Sequence, residues 1–232
     1  MTEVVLEWGL NGARSLAERC SVVVVVDVLS FTTAVTVAVE RDITVWPHTG
    51  GEAAHQLARQ IGAHLAGNRG THAEGPTLSP VSLLALEKGS RLVLPSPNGS
   101  TISHGAVTSE VEIVAGSLRN ASAVARYLRG RDRVGIVPAG ERWSDGSLRP
   151  AYEDWVGAGA VVVRLAGHDP SIRLAPEAAA AAAAFEVLRP LQECASGVEL
   201  VEKGFAEDVA MAEEVDASVV VPVLRDGRYV GA

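Results

Sequence analysis

The stretch Ser-Val-Val-Val-Val-Val-Asp-Val-Leu-Ser-Phe-Thr-Thr, from Ser21 to Thr33, carries the strongest fold signal in the sequence. Its five consecutive valines, at positions 22–26, are branched at Cβ and therefore favour an extended strand. Because the run is apolar at every position rather than at alternate positions, both faces of this strand need to be covered. The stretch therefore predicts an interior strand of an α/β protein, with helices packed on each side in three layers.

An acid and several hydroxyls directly follow the valine strand. Asp27 ends the run, and Ser30, Thr32 and Thr33 precede an apolar stretch at 34–39 that suits a helix. Open α/β sheets bind ligands at the carboxyl ends of their strands, and helix starts bind anions. This predicts a ligand site at Asp27, with Thr32 and Thr33 binding the substrate. An equally good interpretation is that Asp27 only caps the helix.

The overall composition limits the classes of protein that the chain can belong to. Its 232 residues are 47% hydrophobic and 21% charged, which is ordinary for a folded domain. The net charge of −8 leaves no basic surface for nucleic acid, so we expect no nucleic-acid partner. A phosphorylated substrate stays compatible with this charge, because local arginines and a metal ion can override the overall sign.

Cysteine usage and hydropathy exclude three further classes. Cys20 and Cys194 are far apart and show no metal-ligand spacing, so neither a disulfide framework nor a zinc site is expected. No apolar stretch reaches membrane-spanning length, and the N-terminus has no basic segment followed by an apolar run. We therefore expect a cytoplasmic protein without a membrane partner.

Two segments of the chain, about 21–70 and 91–141, follow the same order of elements. Each runs strand, polar turn, helix, strand, helix, strand and glycine turn, and the corresponding turns lie about 70 positions apart. We predict a single domain over 1–232 with a mostly parallel or mixed sheet. In this hypothesis the two similar halves arose by internal duplication, and their turns face one another across a shared cleft.

The C-terminal part, 151–222, is predicted to be mainly helical. Small residues within 151–160 allow close helix packing, and seven alanines at 178–184 form a strong helix signal. We expect a last strand at 218–221 and a frayed tail from Arg225 onward.

Further polar clusters follow other predicted strands. Arg69 lies in Gly-Asn-Arg-Gly, Glu141 follows Pro-Ala-Gly, and Asn98, Gly99 and Ser100 open a helix. The planar guanidinium suits bidentate binding of phosphate, and the Asn98 turn offers side-chain and backbone donors for the same group. Alternatively, Arg69 is a surface charge and Asn98-Gly99 an ordinary tight turn.

Acidic residues near the predicted strand ends suggest a metal site. Glu153 and Asp154 open a helix, and together with Asp27 they predict a Mg²⁺ site, with Glu74 and Glu141 as reserve acids. Carboxylate oxygens are hard ligands, and Mg²⁺ takes one or two of them together with waters and substrate oxygens. Seen alone, Glu153-Asp154 is better explained as a solvated helix start, where the helix dipole favours acids.

The sequence disfavours two common routes of hydrolysis. It contains neither Gly-x-x-x-x-Gly-Lys-Ser/Thr nor Gly-x-Ser-x-Gly, the signatures of P-loop and serine hydrolases. The residues leave open whether Asp27 is a metal ligand or a nucleophile. A phosphoaspartate usually needs a second acid two residues further on, and Leu29 at that position favours the ligand role.

Taken together, these turns resemble the 2-phosphosulfolactate phosphatase family over about 22–222. The resemblance implies a Mg²⁺-dependent phosphatase, a phosphoric monoester hydrolase acting on a small sulfonated phosphoester in the coenzyme M pathway. On this basis we assign Asp27, Arg69 and Glu141 as catalytic residues. The matching segments occur in order at 27–33, 67–70, 73–75, 96–100, 115–121, 138–141, 152–159 and 204–209.

Three departures from the family pattern bear on the substrate. Ser30 stands where many members have arginine, Asn68 and Thr71 alter a Gly-Glu-Arg-Gly-Gly turn, and the segment between Glu141 and Glu153 is longer. They favour, as alternatives, a phosphatase for a different phospho-hydroxy acid or a non-catalytic protein that binds a small anion. A small phosphorylated anion is the expected partner, and the sequence leaves a homodimer open.

Overall fold

A computed structural model of the chain describes residues 1–70, 75–106, 111–167 and 169–232. The strands are β1 Thr2–Leu6, β2 Val22–Val26, β3 Thr44–His48, β4 His64–Leu65, β5 Arg91–Pro95, β6 Glu112–Gly116, β7 Arg133–Pro138, β8 Glu141–Arg142, β9 Leu148–Arg149, β10 Ile172–Leu174, β11 Pro222–Arg225 and β12 Arg228–Gly231. The α-helices are α1 Gly9–Ala17, α2 Phe31–Glu40, α3 Gly51–Ile61, α4 Gly99–Gly105, α5 Ala121–Tyr127, α6 Tyr152–Ala166, α7 Pro176–Glu186, α8 Ala195–Glu202 and α9 Ala206–Glu213.

The valine strand β2 lies in the interior of the sheet, as predicted. It pairs in parallel with β6 on one side and β7 on the other, and all five valines are fully buried. Val22, Val24 and Val26 face a core made with α5, α6 and α7, while Val23 and Val25 face a core made with α1, α2 and α4. The three-layer α/β/α architecture with a mixed sheet is thereby confirmed.

The main sheet consists of two parallel blocks that run in opposite directions. The strand order is β10-β1-β7-β2-β6-β11-β12-β3-β5-β4, and the antiparallel hairpin β11–β12 joins the blocks. Strand β2 lies between β6 and β7 just as β5 lies between β3 and β4. Exchanging the segments 21–70 and 91–141 therefore reproduces this order in reverse. The order is the one expected of duplicated halves, and the duplication itself stays a prediction.

The C-terminal end contradicts two predictions. Residues 218–221 form no strand, because Ser218 donates its amide N–H to the carbonyl of Arg119 at 2.8 Å instead of entering the ladder. The tail from Arg225 is not frayed, since Arg228–Gly231 is β12, and the side chain of Tyr229 is fully buried. Asp226-Gly227, both with positive φ, form the two-residue hairpin turn that the sequence analysis overlooked.

Helix lengths bear on the membrane prediction. The longest described helix, α6, has 15 residues. Over the ranges that the structure describes, no helix combines the length and the apolar character needed to cross a bilayer.

Candidate active site

The turn after β2 is fixed by its own hydroxyls. Thr32 Oγ1 donates to the carbonyl of Asp27 at 2.8 Å and accepts the amide N–H of Asp27 at 3.0 Å. Thr33 Oγ1 donates to the carbonyl of Val28 at 2.8 Å. Both threonines are fully buried. Their hydroxyls therefore shape the turn, and a role of these threonines in substrate binding stays a prediction.

The carboxylate of Asp27 joins the turns of the two halves. Its Oδ1 accepts the amide N–H of Phe31 at 3.1 Å, and its Oδ2 accepts that of Gly99 at 2.8 Å. A Cβ on Gly99 would lie 2.2 Å from the Phe31 ring and 2.7 Å from Asp27 Oδ2. Only glycine permits this approach, so the Asp27 and Asn98 turns meet as the proposed duplication requires.

In the Asn98 turn, the amide of Asn98 bonds to Glu141, and the hydroxyl of Ser100 bonds to backbone. Asn98 Nδ2 donates to Glu141 Oε2 at 3.0 Å. Ser100 is fully buried and donates to the carbonyl of Leu94 at 3.0 Å, which anchors the start of α4. Of the predicted substrate-binding residues in this turn, Asn98 contacts Glu141, Gly99 donates its amide N–H to Asp27, and Ser100 anchors the start of α4. Their binding of substrate stays a prediction.

The acidic pair at the start of α6 is buried, contrary to the solvated alternative. Glu153 and Asp154 are 2% and 4% exposed. Asp154 Oδ1 accepts the amide N–H of Val28 at 2.7 Å, and its Oδ2 accepts that of Gly140 at 2.8 Å. This carboxylate therefore ties the turn after β2 to the turn after β7. Glu153 Oε2 accepts the thiol of Cys194 at 3.3 Å.

These acids form one electrostatic cluster, and the charge of Arg149 opposes the rise in the pKa of Glu141. Burial, followed by the charges of Glu141 and Glu153, raises the pKa of Asp27 to about 7. Burial and the charge of Asp27 raise the pKa of Asp154 well above its ordinary value. Burial also raises the pKa of Glu141, with the Asn98 hydrogen bond opposing this and Glu153 adding to it. Such a group of buried carboxylates favours anything that brings positive charge.

An open cleft of about 310 Å³ lies beside this cluster and brings charges of both signs together. Its lining includes the acids Glu141 and Glu199 and the cations Arg69 and Lys203, of which Lys203 pairs with Glu199. Phe205 forms part of the wall, with the Arg69 guanidinium carbon 5.6 Å from its ring centre. The turns after β4 and β7 thus contribute a cation and an acid to one space, as the sequence predicts.

The guanidinium of Arg69 is held from two directions. Its Nε donates to Asp208 Oδ2 at 3.0 Å, and one terminal nitrogen donates to Ser30 Oγ and, at 3.3 Å, to the carbonyl of Leu78. Asp208 is 2% exposed and accepts a further hydrogen bond from the hydroxyl of Ser79. Arg69 is therefore an ordered cleft residue and not a mobile surface charge.

Among the residues that sequence reasoning missed are two that line this cleft and the acid that pairs with Arg69. Lys203, Phe205 and Asp208 come from the end of α8 and the start of α9, far along the chain from Arg69. The segment at 204–209 was among those carrying the family resemblance, which was the available signal. The reserve acid Glu74, with Ala73 of the matching segment 73–75, lies outside the described residues.

The donor set fits a hard divalent cation in charge and in ligand type. Over the described part of the chain, no three His, Cys, Asp or Glu side chains are arranged around one metal position. Mg²⁺ takes only one or two carboxylates directly, and each carboxylate oxygen keeps a second lone pair beside the hydrogen bond it accepts. The Asp27, Glu153 and Asp154 set therefore stays a prediction.

Together, the fold and the site define a class: α/β/α proteins in which a cleft lined by cationic side chains lies beside a cluster of acids. The family model described as 2-phosphosulpholactate phosphatase matches residues 12–227. The chain belongs to the 2-phosphosulfolactate phosphatase family. A protein of Carboxydothermus hydrogenoformans named probable 2-phosphosulfolactate phosphatase is 34% identical over 90% of this chain and 89% of its own. A protein of Thermotoga petrophila with the same name is 31% identical over 91% and 92%.

Proposed function

We propose that this protein is a phosphatase that hydrolyses 2-phosphosulfolactate to sulfolactate and phosphate. The observation that carries the proposal is the cleft that Arg69, Lys203 and Glu141 line together. A phosphoryl group needs positive charge on its oxygens and an acid or base near the attacking water. The names of the relatives supply the substrate, and the cleft supplies groups that suit it.

Arg69 and Lys203 bind the phosphoryl oxygens in this proposal. Asp208, Ser30 and Leu78 engage Nε and one terminal nitrogen of the guanidinium, so the other terminal nitrogen donates to the phosphoryl oxygens in this proposal. The contacts to Asp208 and Ser30 set the plane of the guanidinium before the substrate arrives. Lys203 adds a more mobile charge, since its side chain is 61% exposed and pairs with Glu199. Two cations suit a substrate that carries a second anionic group besides its phosphate.

Glu141 takes the proton of the attacking water in this scheme. Asn98 donates to Oε2 and orients the carboxylate, and Oε1 is the oxygen that takes the proton in this scheme. Because burial raises the pKa of Glu141, this oxygen is more basic than that of an ordinary surface glutamate. Glu141 then returns the proton to the departing hydroxyl oxygen.

Asp27 and Glu153 would hold Mg²⁺, with Asp154 adding negative charge behind them. When bound, the ion would neutralise phosphate charge and make a coordinated water more acidic. Asp27 is 6% exposed, and both of its oxygens accept backbone hydrogen bonds. A nucleophile needs an oxygen open to the substrate, so this arrangement supports the ligand role over direct attack on phosphorus.

The test is release of inorganic phosphate from 2-phosphosulfolactate, with Mg²⁺ and with EDTA. We expect turnover that requires Mg²⁺ and is strongly reduced in Arg69→Ala. Arg59→Ala is the matched control, because Arg59 is an exposed arginine on α3, remote from the cleft lining. A folded wild-type protein that binds the compound without releasing phosphate would overturn the proposal in favour of a small-anion-binding protein.

One observation favours a second candidate, a phosphatase for a different phospho-hydroxy acid. Ser30, which stands where many family members have arginine, lies against Arg69 and contributes no charge. Comparing kcat/KM for 2-phosphosulfolactate and for 2-phospholactate, which lacks the sulfonate, distinguishes the two. A ratio near one would show that the sulfonate is not recognised.

A further inference from the structure

We propose that Asp208 is a positioning residue that aims the guanidinium of Arg69 into the cleft. The inference rests on the proposed function, because it concerns how Arg69 meets the phosphoryl group. The two residues are 139 positions apart, and Arg69 Nε lies 3.0 Å from Asp208 Oδ2. A buried acid so far along the chain does not meet this arginine through local structure.

Protein groups engage Nε and one terminal nitrogen of the Arg69 guanidinium. Asp208 takes the Nε edge, while Ser30 and the Leu78 carbonyl take one terminal nitrogen. The guanidinium carbon lies 5.6 Å from the centre of the Phe205 ring, which limits tilting out of the plane. Lysine at this position has no such edge and could not be oriented in the same way.

Asp208 is itself held in place. It is 2% exposed, lies in the first turn of α9 and accepts the hydroxyl of Ser79 on Oδ1. The anchored carboxylate therefore fixes one rotamer of a long side chain that otherwise has many. The negative charge of Asp208 also offsets the positive charge of Arg69. Asp208 therefore orients the guanidinium while weakening its nonspecific attraction of anions.

Because Asp208 both orients Arg69 and offsets its charge, removing its charge should affect kcat and the Ki of phosphate differently. A general loss of structure would not give this combination. In Asp208→Asn the amide oxygen still accepts the Nε hydrogen bond, but the negative charge is gone. We expect kcat to fall about 10-fold, the lower end expected for a hydrogen bond to a charged group. The Ki of inorganic phosphate as a competitive inhibitor should stay equal or decrease, because the cleft becomes less negative. General destabilisation would raise that Ki.

The decisive measurement is a double-mutant cycle with Arg69. If Asp208 acts through Arg69, Asp208→Asn has no further effect on kcat/KM in the Arg69→Ala background. Glu207→Gln, the exposed neighbour on the same helix, is the matched control for loss of one charge and should match the wild type. An equal loss from Asp208→Asn with and without Arg69 would overturn the inference.

Two outcomes keep this test distinct from that of the proposed function. If wild-type protein releases no phosphate, the proposed function has failed. If Arg69→Ala is impaired and Asp208→Asn is not, only the positioning role has failed. Should Asp208→Asn not fold, Ser79→Ala removes just the hydroxyl on Asp208 Oδ1. It must then lower kcat in the wild-type background and have no effect in Arg69→Ala, and any other pattern overturns the inference.

Discussion

At the residue scale, the site depends on side chains whose hydrogen bonds are already satisfied. Asp27 and Asp154 use both carboxylate oxygens to hold backbone amides of neighbouring turns. A carboxylate can hold two amides at once, which neither serine nor asparagine can do with equal strength. These acids therefore assemble the site as well as charging it, and Glu141 is the member of the cluster that lines the cleft.

Arg69→Lys should lower kcat/KM by about 1–3 kcal/mol in activation free energy, the range for a hydrogen bond to an ionised group. Lysine keeps the charge but has no planar group that could bond to Asp208 and Ser30 and still donate to the phosphoryl group. Arg69→Ala should cost more. Steady-state phosphate release checks both variants, with Arg59→Lys as control. Wild-type kinetics in both would place the phosphoryl group elsewhere.

Asp216 gives a pH-dependent prediction outside the cleft. Burial acts to raise its pKa, but the amide N–H of Ser122 at 2.7 Å and Arg164 Nε at 2.9 Å outweigh burial and lower it. A carboxyl with a lowered folded-state pKa stabilises the fold above its unfolded pKa of about 3.9, and this is lost as pH falls. Asparagine tolerates the positive φ of this position.

Asp216→Asn should therefore reduce the free energy of unfolding near pH 7, and the difference from wild type should shrink as pH falls below 4. Urea unfolding at several pH values measures this. Asp132→Asn, at an exposed acid, is the control. A difference that stays constant with pH would show that Asp216 contributes through shape rather than charge.

At the element scale, the C-terminal hairpin closes the sheet between its two parallel blocks. β11 pairs with β6 of the first block, and β12 pairs with β3 of the second. Tyr229 of β12 packs edge-on against Phe31 at 6.1 Å between ring centres, and its hydroxyl lies 2.7 Å from Ser103 Oγ. The last strand thus reaches the start of α2, the helix that follows the Asp27 turn.

Tyr229→Ala should destabilise the protein by about 3–5 kcal/mol, as expected for removing a buried aromatic ring. Tyr229→Phe removes only the hydroxyl and should cost about 1–2 kcal/mol. Chemical unfolding of both variants, with phosphate release measured below the transition, checks the prediction. Wild-type stability of Tyr229→Ala would mean that the C-terminal residues are frayed after all.

At the scale of the whole molecule, the fold concentrates four acids in one cluster. They come from three places in the chain: Asp27 after β2, Glu141 after β7, and Glu153 with Asp154 at the start of α6. A fold that concentrates like charges in this way is stabilised by any cation that binds the folded state alone. The possible homodimer stays a prediction.

Adding Mg²⁺ should raise the melting temperature, by an amount equivalent to about 2.7 kcal/mol when the ion is at 100 times its Kd. Differential scanning calorimetry against EDTA, with ionic strength matched by NaCl, measures it without any substrate. Glu153→Gln should reduce the shift, and Glu177→Gln, at an exposed acid on α7, should not. An equal shift in all three proteins would place the ion outside the cluster.

Most of the fold follows from local sequence. Five adjacent valines favour a strand that is covered on both faces, and β2 has this environment. It pairs with β6 and β7 within the sheet, and helices cover both of its faces. The C-terminal strands were predicted at the wrong place because the run at 218–221 is largely apolar and β-branched, which favours a strand. In the structure the amide of Ser218 in this run bonds to the carbonyl of Arg119, and the strands form at 222–225 and 228–231. The Asp226-Gly227 turn was visible in the sequence and decides where the strands form.

The sequence by itself determined the fold class, the family and the turns that carry Asp27, Arg69, Asn98 and Glu141. Only the tertiary structure decided the task of each side chain in those turns. It engages the hydroxyls of Thr32 and Thr33 with backbone, buries Asp154 between two amides, and pairs Arg69 with Asp208. The physical reason is that strand and helix patterns are local, whereas burial and partners such as Asp208, 139 positions from Arg69, depend on how the whole chain folds.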